Sequence, residues 1–364
     1  AGVEGSQDYD LLLRTVAVIE ADEIKHIPHI LYHWRAINGS TALSSKQKNY
    51  TSQAGLKSLT DYFSNYNMPI KNESHSLANC YRTIWPMPEP RPLVSLLIPT
   101  RDGYQLLKQC IDSIQNKTTY ANYEILILNN QSSCPQTLAY FEKLSKSNDI
   151  RIIDYDQPFN FSKINNLGVK HAKGSLIGLI NNDIEVITPD WLDEMVRQAS
   201  RPDIGCVGAK LFYPDGSIQH AGVVLGIGGV AGHAHKYFSN HHHGYFSRLS
   251  LVQNFSAVTA ATLLVRKSLY LEVGGLEEDL QVAFNDVDFC LKVRAAGYRN
   301  LWTPFAELYH HESVSRGYED TPEKQQRFAN EVGFMKEKWG KALEADPCYS
   351  PNLTLVHENF SYHV

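Results

Sequence analysis

Two hydrophobic periods alternate through the middle of the chain. Near-continuous apolar runs fall at residues 93–98, 124–128, 150–153 and 176–180, and each stops at polar or turn residues. Runs of this length, rich in Ile, Leu and Val, read as strands buried on both faces. Between them, residues 106–114, 137–144 and 162–172 carry apolar side chains at helical spacing. Strands alternating with helices predict right-handed crossovers and a parallel sheet. The sharpest ending follows Ile180, where the run gives way to Asn181-Asn182-Asp183. Ligands of open α/β sheets sit outside such carboxyl ends. A carboxylate there is a candidate ligand for a hard cation, with a simple turn as the competing reading.

The pattern continues with a helix at 189–198, a strand near 206–210, and a loop-rich stretch holding Gly222, Gly226, Gly228, Gly229 and Gly232 before His233 and His235. Residues 259–266 read as a further strand, and Asn285-Asp286-Val287-Asp288 opens a helix. Toward the amino end, residues 7–14 predict a helix with acidic groups in its first turn, where the dipole favours them. Ile30-Leu31-Tyr32-His33 reads as a short strand, and residues 46–80 hold an amphipathic helix. Pro86, Pro88, Pro90 and Pro92 mark a boundary. Asp8, Asp10 and Tyr32-His33 repeat the order and spacing of Asp286, Asp288 and Tyr309-His310. Residues 1–45 are therefore expected to be the remnant of a preceding, related module. Residues 46–92 are read as a helical linker, 93–320 as the main domain, and 321–364 as a terminal helix and tail.

Composition narrows the partners. A net charge of -5 over 364 residues gives no reason to expect nucleic acid. Six cysteines without a C-x-x-C pair argue against a disulfide scaffold or zinc ribbon and favour a reducing, cytoplasmic setting. His233 and His235 lack the spaced cysteine or carboxylate partners of a zinc site. No G-x-G-x-x-G or P-loop motif is present, which weakens the dinucleotide oxidoreductase and phosphotransferase readings.

Taken in order, Val94-Ser95-Leu96-Leu97-Ile98-Pro99-Thr100-Arg101, Asn129-Asn130-Gln131-Ser132, Asn166-Leu167-Gly168, Asn181-Asn182-Asp183, Gly274-Gly275-Leu276 and Asn285-Asp286-Val287-Asp288 resemble the family 2 glycosyltransferases. The resemblance spans about residues 93–320 and is nearest the often tandem bacterial enzymes that build O-antigens and other surface polysaccharides. It implies a GT-A fold, a Rossmann-like, mostly parallel sheet flanked by helices, here with an N-terminal helical and linker segment. It also implies inverting transfer of a sugar from a UDP- or dTDP-type donor to a glycan or lipid-linked glycan acceptor. The setting would be the cytoplasm or the cytoplasmic face of the inner membrane, with an upstream module of the same polypeptide as a partner.

On that resemblance, Asp183 and His310 hold Mn²⁺ or Mg²⁺ and Asp286 is the general base. Pro99, Thr100, Arg101, Asn129, Asn130, Asn166, Asn182, Asp183 and Arg316 serve the donor. His233, His235 and Trp302 lie on the acceptor side. The family's second metal-motif aspartate is replaced by Asn181 and Asn182, amides suited to sugar or ribose hydroxyls. The chemistry stands without the resemblance. A leaving diphosphate gains charge that a cation neutralises, and a hydroxyl nucleophile needs a carboxylate to take its proton. The alternatives are a catalytically inactive sugar-nucleotide-binding or scaffolding module, and a nucleotidyltransferase. The latter would need a basic, glycine-rich triphosphate loop, which is not found after Thr100.

Overall fold

The computed structural model describes residues 2–33, 35, 49–65, 69–311 and 321–363. It divides into two compact units, Ala1–Pro86 and Met87–Val364. In the first, α1 (Gln7–Val16) and α2 (Asn49–Ser64) accompany an antiparallel hairpin of β1 (Lys71–Ser74) and β2 (Tyr81–Ile84). The Ser6 hydroxyl donates to the Thr51 carbonyl at 2.9 Å, and Tyr81 Oη to that of Ser52 at 3.0 Å. Gly55 is required beneath that tyrosine, because a Cβ there would stand 2.0 Å from its hydroxyl. The strand expected at Ile30–His33 does not form. Its backbone has no partner strand among the described residues, and Ile30, Leu31 and Tyr32 lie exposed. The hairpin was not foreseen, because its strands are short, polar and at most half-buried.

The second unit begins with β3 (Val94–Thr100), α3 (Tyr104–Lys117), β4 (Tyr123–Asn129), α4 (Pro135–Leu144), β5 (Ile150–Asp154), α5 (Phe161–His171) and β6 (Leu176–Ile180). It continues with β7 (Ile184–Val186), α6 (Trp191–Ala199), β8 (Ile204–Phe212), β9 (Ile218–His220), β10 (Val223–Leu225), β11 (Ala231–His233) and β12 (Gln253–Phe255). It closes with β13 (Thr262–Arg266), α7 (Lys267–Glu272), α8 (Asn285–Ala295), β14 (Arg299–His310) and α9 (Pro322–Glu344).

The main sheet runs β12-β14-β8-β13-β6-β3-β4-β5, with β7 on β14 and β9 on β8. Its β6-β3-β4-β5 half is wholly parallel, as helical crossovers dictate. β13 enters antiparallel between β6 and β8, because irregular chain and short hairpins rather than a single crossover helix lead to it. Alternate side chains of each central strand serve opposite cores. Leu97, Leu126 and Leu128 join the face covered by α5 and α8, whereas Leu96, Ile98 and Ile127 join that covered by α3, α4 and α6. Gly168 lets α5 lie close on the sheet, since a Cβ there would meet Leu128 at 2.8 Å. No helix among the described residues is long and apolar enough to cross a membrane.

Two buried carboxylates fasten this unit. Glu124 on β4 accepts from Ser95 Oγ at 2.6 Å, the Lys173 amide at 2.7 Å and Arg151 at 2.8 Å, tying β3, β4, β5 and the turn into β6. Glu331 on α9 accepts from the Val282 and Ala283 amides at 2.8 and 3.3 Å. One turn earlier Phe328 packs on Phe284, and further on Trp339 and Lys338 reach the fully buried Asp288 at 2.7 and 2.8 Å. Thus α9 braces the start of α8, and Met335 and Leu343 bury in the same core.

Burial pushes the Glu124 carboxyl upward, but its three hydrogen-bond donors outweigh this and hold it below its ordinary value. A depressed folded pKa gives stability that is present above the unfolded value, about 4.3, and lost as pH falls through the folded one. Glu124→Gln is expected to lose about 1–3 kcal/mol at pH 7 and much less near pH 3, read by urea unfolding. An equal loss at both pH values would refute the assignment. Glu331→Ala strands two buried amides and is expected to cost on the order of 2–4 kcal/mol. A change below about 0.5 kcal/mol, the scale of surface substitutions, would show that α9 does not brace the loop.

Candidate active site

The carboxyl ends of β3, β4, β6, β8 and β14 share one edge of the sheet, and the amino end of antiparallel β13 joins them. β14 reaches this edge by bending. It follows β8 in parallel, shifts register between Trp302 and Glu307, and ends antiparallel to β7 with His310 opposite Ile184. That brings His310 Nε2 to 3.3 Å from Asp183 Oδ1, both side chains more than nine-tenths buried. The His311 amide donates to the Asp183 carbonyl at 2.9 Å, fixing the strand end. The Asn181 side chain lies 3.3 Å from the same His310 nitrogen. Asn182 donates to Thr100 Oγ1 at 2.9 Å, linking the ends of β6 and β3.

A divalent cation fits this pair. Two donors each about 2.1 Å from one octahedral ion lie roughly 3 Å apart, close to the separation found between Asp183 and His310. His310 Nδ1 is buried without a hydrogen-bond partner, which leaves the imidazole uncommitted on that side. Among the described residues no third His, Cys, Asp or Glu completes a set. A protein site of two donors is the kind that Mg²⁺ or Mn²⁺ occupies jointly with substrate phosphates.

Asp286 sits in the first turn of α8. Its Oδ2 accepts from the Ala260 amide at 3.1 Å, its Oδ1 from the Val287 amide at 2.9 Å, and the Thr259 side chain bonds it as well. Burial nevertheless dominates and holds its pKa above the usual aspartate value. The neighbouring Ala261 carbonyl accepts from the Asn181 amide at 3.0 Å. The Thr259 amide faces His220 Nε2 at 3.4 Å, and His220 Nδ1 lies 2.9 Å from His233 Nδ1. Burial, with the charges of His233 and His310, pushes His220 well below its usual pKa. It is therefore a neutral ring with Nε2 as acceptor. Residues 259–261 thus join the Asp183 strand end to Asp286 through consecutive backbone groups.

The structure gathers Thr100, Arg101, Asn129, Asn182, Asp183 and His310 at this edge and sorts the other expected residues differently. Pro99 is buried in β3 and shapes the strand end: the β3–β6 register stops at Leu97, before the residue that lacks an N–H. Asn130 is buried and gives its amide to the Tyr155 and Gln157 carbonyls, so it holds a loop rather than a ligand. Asn166 is engaged with Tyr270 Oη, the Leu276 backbone and Glu278, clamping α5 to the turn after α7. His235 is 1% exposed and stacks on Phe360 at 4.2 Å, and burial, with the Arg248 and His242 charges, drives its pKa down to about 3. It is a core histidine, not an acceptor contact. Trp302 is fully buried and meets Phe255 edge-on, so no sugar can stack on it. His233 turns its Nδ1 inward onto His220. Arg316 lies outside the described residues.

Sequence reasoning missed Thr259, His220 and Glu331. The first two carry no local pattern, since their roles arise from chain segments far apart. Glu331 left a signal, an acid within the apolar helical stripe of Phe328, Val332 and Met335.

Residues 95–269 match the model of the glycosyl transferase family 2. An uncharacterized protein of Sinorhizobium fredii is 50% identical over 362 residues, covering 99% of this chain and 40% of its own length. The O-antigen biosynthesis protein RfbC of Myxococcus xanthus is 34% identical over 359 residues, covering 98% of this chain and 27% of its own length. The chain therefore spans less than half the length of either curated relative. Among solved structures, the mannosyltransferase PcManGT of Pyrobaculum calidifontis, in complex with GDP-Man and Mn²⁺, superposes with a TM-score of 0.53 at 17% identity. That match covers 74% of this chain and 70% of the other. GalNAc-T7 with UDP, GalNAc and Mn²⁺ gives the same score at 14% identity, covering 70% and 50%. Residues 95–269 therefore form a glycosyl transferase family 2 domain, and with a mixed sheet that is parallel in one half, the unit that holds them is built on the GT-A fold.

Proposed function

We propose that the Met87–Val364 unit catalyses inverting transfer of a sugar from a nucleoside-diphosphate donor to a hydroxyl of a glycan acceptor, in assembly of a bacterial surface polysaccharide. The observation that carries this reading is the sorting of two carboxylates at one sheet edge. Asp183 is paired with His310, whereas Asp286 is held by amides and has a raised pKa. One group suits a cation and the other suits a proton.

In this reading the nucleoside lies against the ends of β3 and β4, near Thr100, Arg101 and Asn129. Asp183 and His310 hold Mn²⁺ or Mg²⁺, which when bound supplies charge neutralisation for the departing diphosphate. Asn181 and Asn182 offer neutral hydrogen bonds beside it. Asp286 takes the proton of the attacking hydroxyl, its oxygens oriented by the Ala260 and Val287 amides. A single base and no carboxylate nucleophile suits direct displacement, and hence inversion. GDP-Man and UDP accompany the structural neighbours, which supports a nucleotide-sugar donor of this general kind. The similarity to an O-antigen biosynthesis protein supports a place in O-antigen synthesis, and the acceptor in this proposal is a lipid-linked glycan at the cytoplasmic face of the inner membrane. Residues 1–45 are proposed as the tail of a preceding module of the same polypeptide.

Thermal-shift screening of GDP-mannose, UDP-sugars and dTDP-sugars with and without Mn²⁺ tests the donor site, because selective binding raises apparent stability. Asp183→Ala is expected to abolish the Mn²⁺-dependent part of the shift, and a retained shift would remove the cation from Asp183. For a donor and acceptor pair that turns over, Asp286→Asn should keep the donor shift and lower transfer about 10²–10⁴-fold. Unchanged transfer would exclude Asp286 as the base. A protein that binds donor yet transfers to no acceptor is the inactive-module alternative. Because burial raises Asp286, the acid limb of kcat/KM should fall at a pH above about 3.9, as activity requires the ionised base.

A further inference from the structure

Beyond the cation pair, the same sheet edge ends in two stacked tyrosines that the chemistry above does not use. Tyr213 follows Phe212, whose partner in the parallel register is Tyr309. Tyr213 itself opens the turn into β9, its amide donating to the Ser217 carbonyl at 2.8 Å. The Tyr213 and Tyr237 rings stack nearly parallel, at 10°, with centroids 5.2 Å apart. Tyr237 is 66% exposed, although its backbone is pinned. Its amide donates to the Ile218 carbonyl at 2.7 Å, the Ile218 amide donates to Phe238 at 2.8 Å, and Ser217 bridges Ser239. It also holds φ +64°, a rare conformation for a bulky side chain. Core packing does not account for fixing a strained residue so that its ring faces water. Backbone strain of this sort collects at ligand clamps.

We propose that the exposed Tyr237, backed by the stacked Tyr213 ring, presents an acceptor subsite for a pyranose ring. A pyranose presents a C–H face and a hydroxyl rim. The tyrosines supply an apolar body with polar tips. Lys236, whose ammonium lies 5.1 Å from the Tyr237 centroid, and the serines of the Ser217–Ser239 bridge supply hydrogen-bonding groups around it. Position selects the acceptor over the donor. In the sheet order β6-β13-β8, the Thr259–Ala261 segment that grips Asp286 lies between the strand of Asp183 and that of Tyr213. In this reading the acceptor sugar lies on the Tyr213 side of that segment and the donor on the Asp183 side. The two histidines expected on the acceptor side turn inward, and in this proposal the same loop serves that side through Lys236 and Tyr237 instead.

The inference rests on the glycosyltransferase reading for its purpose, yet it can be tested apart from it. Saturation-transfer NMR on the full chain would use methyl α-D-mannopyranoside, methyl β-D-galactopyranoside and methyl α-L-rhamnopyranoside as probes. At least one should receive saturation at its ring C–H protons. Tyr237→Ala should reduce that signal at least five-fold, and Tyr237→Phe should restore it. Both variants should keep the wild-type melting temperature and Mn²⁺-dependent donor shift. No saturation of any probe, or a signal indifferent to Tyr237→Ala, overturns the subsite. Probe binding without any nucleotide-sugar shift supports the subsite and overturns the transfer reading instead.

Discussion

Three consecutive residues outside the regular sheet, Thr259, Ala260 and Ala261, hold the candidate site together. They have no main-sheet register of their own, so their polar backbone groups need partners elsewhere. The Thr259 amide finds His220, the Ala260 amide finds Asp286, and the Ala261 carbonyl finds Asn181. Each partner belongs to a different element, and each is held at a strand or helix end. The antiparallel entry of β13 makes this possible, because it places a chain start at the edge where the parallel strands finish. Reversing that strand would carry these three residues to the opposite edge.

The constraint spreads outward through groups that are costly to bury alone. His220 can accept from Thr259 only while neutral, and its buried position keeps it so. The turn before Asp286 would strand two amides if Glu331 did not accept them, and Phe284 enters α8 in a left-handed conformation beneath Phe328. Helix α9, beyond the span matched by the family model, therefore belongs to the machinery that aims Asp286. The Asp288–Trp339 and Asp288–Lys338 contacts fix the same helix pair from its buried side.

The two carboxylates of the site differ by environment rather than by type. Both are shielded from water, but Asp183 has an imidazole at 3.3 Å, whereas Asp286 is met by neutral amide and hydroxyl donors. A nearby base stabilises or shares charge, and burial disfavours it. In the proposed function the same residue type is thereby divided between holding a cation and exchanging a proton. With amides at Asn181 and Asn182, the proposed cation pair would offer two protein donors among the described residues and leave coordination positions for a diphosphate.

Sequence alone determined the parallel half of the fold, because buried strands and amphipathic helices leave distinct periods. It also marked Asp183, whose place at the end of an apolar run is a local fact. Asp286 was legible as a helix-start acid, and its role came from the ordered resemblance around it. What periodicity could not carry was direction and depth. Trp302 and His235 look like surface groups in a list of residue types, yet one lies in a central strand and the other under Phe360. Asn130 and Asn166 have the chemistry of ligand contacts, but tertiary packing takes up the Asn130 amide group and both ends of the Asn166 side chain. His310 meets Asp183 only because β14 shifts register and bends from β8 to β7. Local sequence specifies which groups can bind and which segments must be buried. Only the assembled sheet and the packing of α9 decide which of those groups still face a ligand.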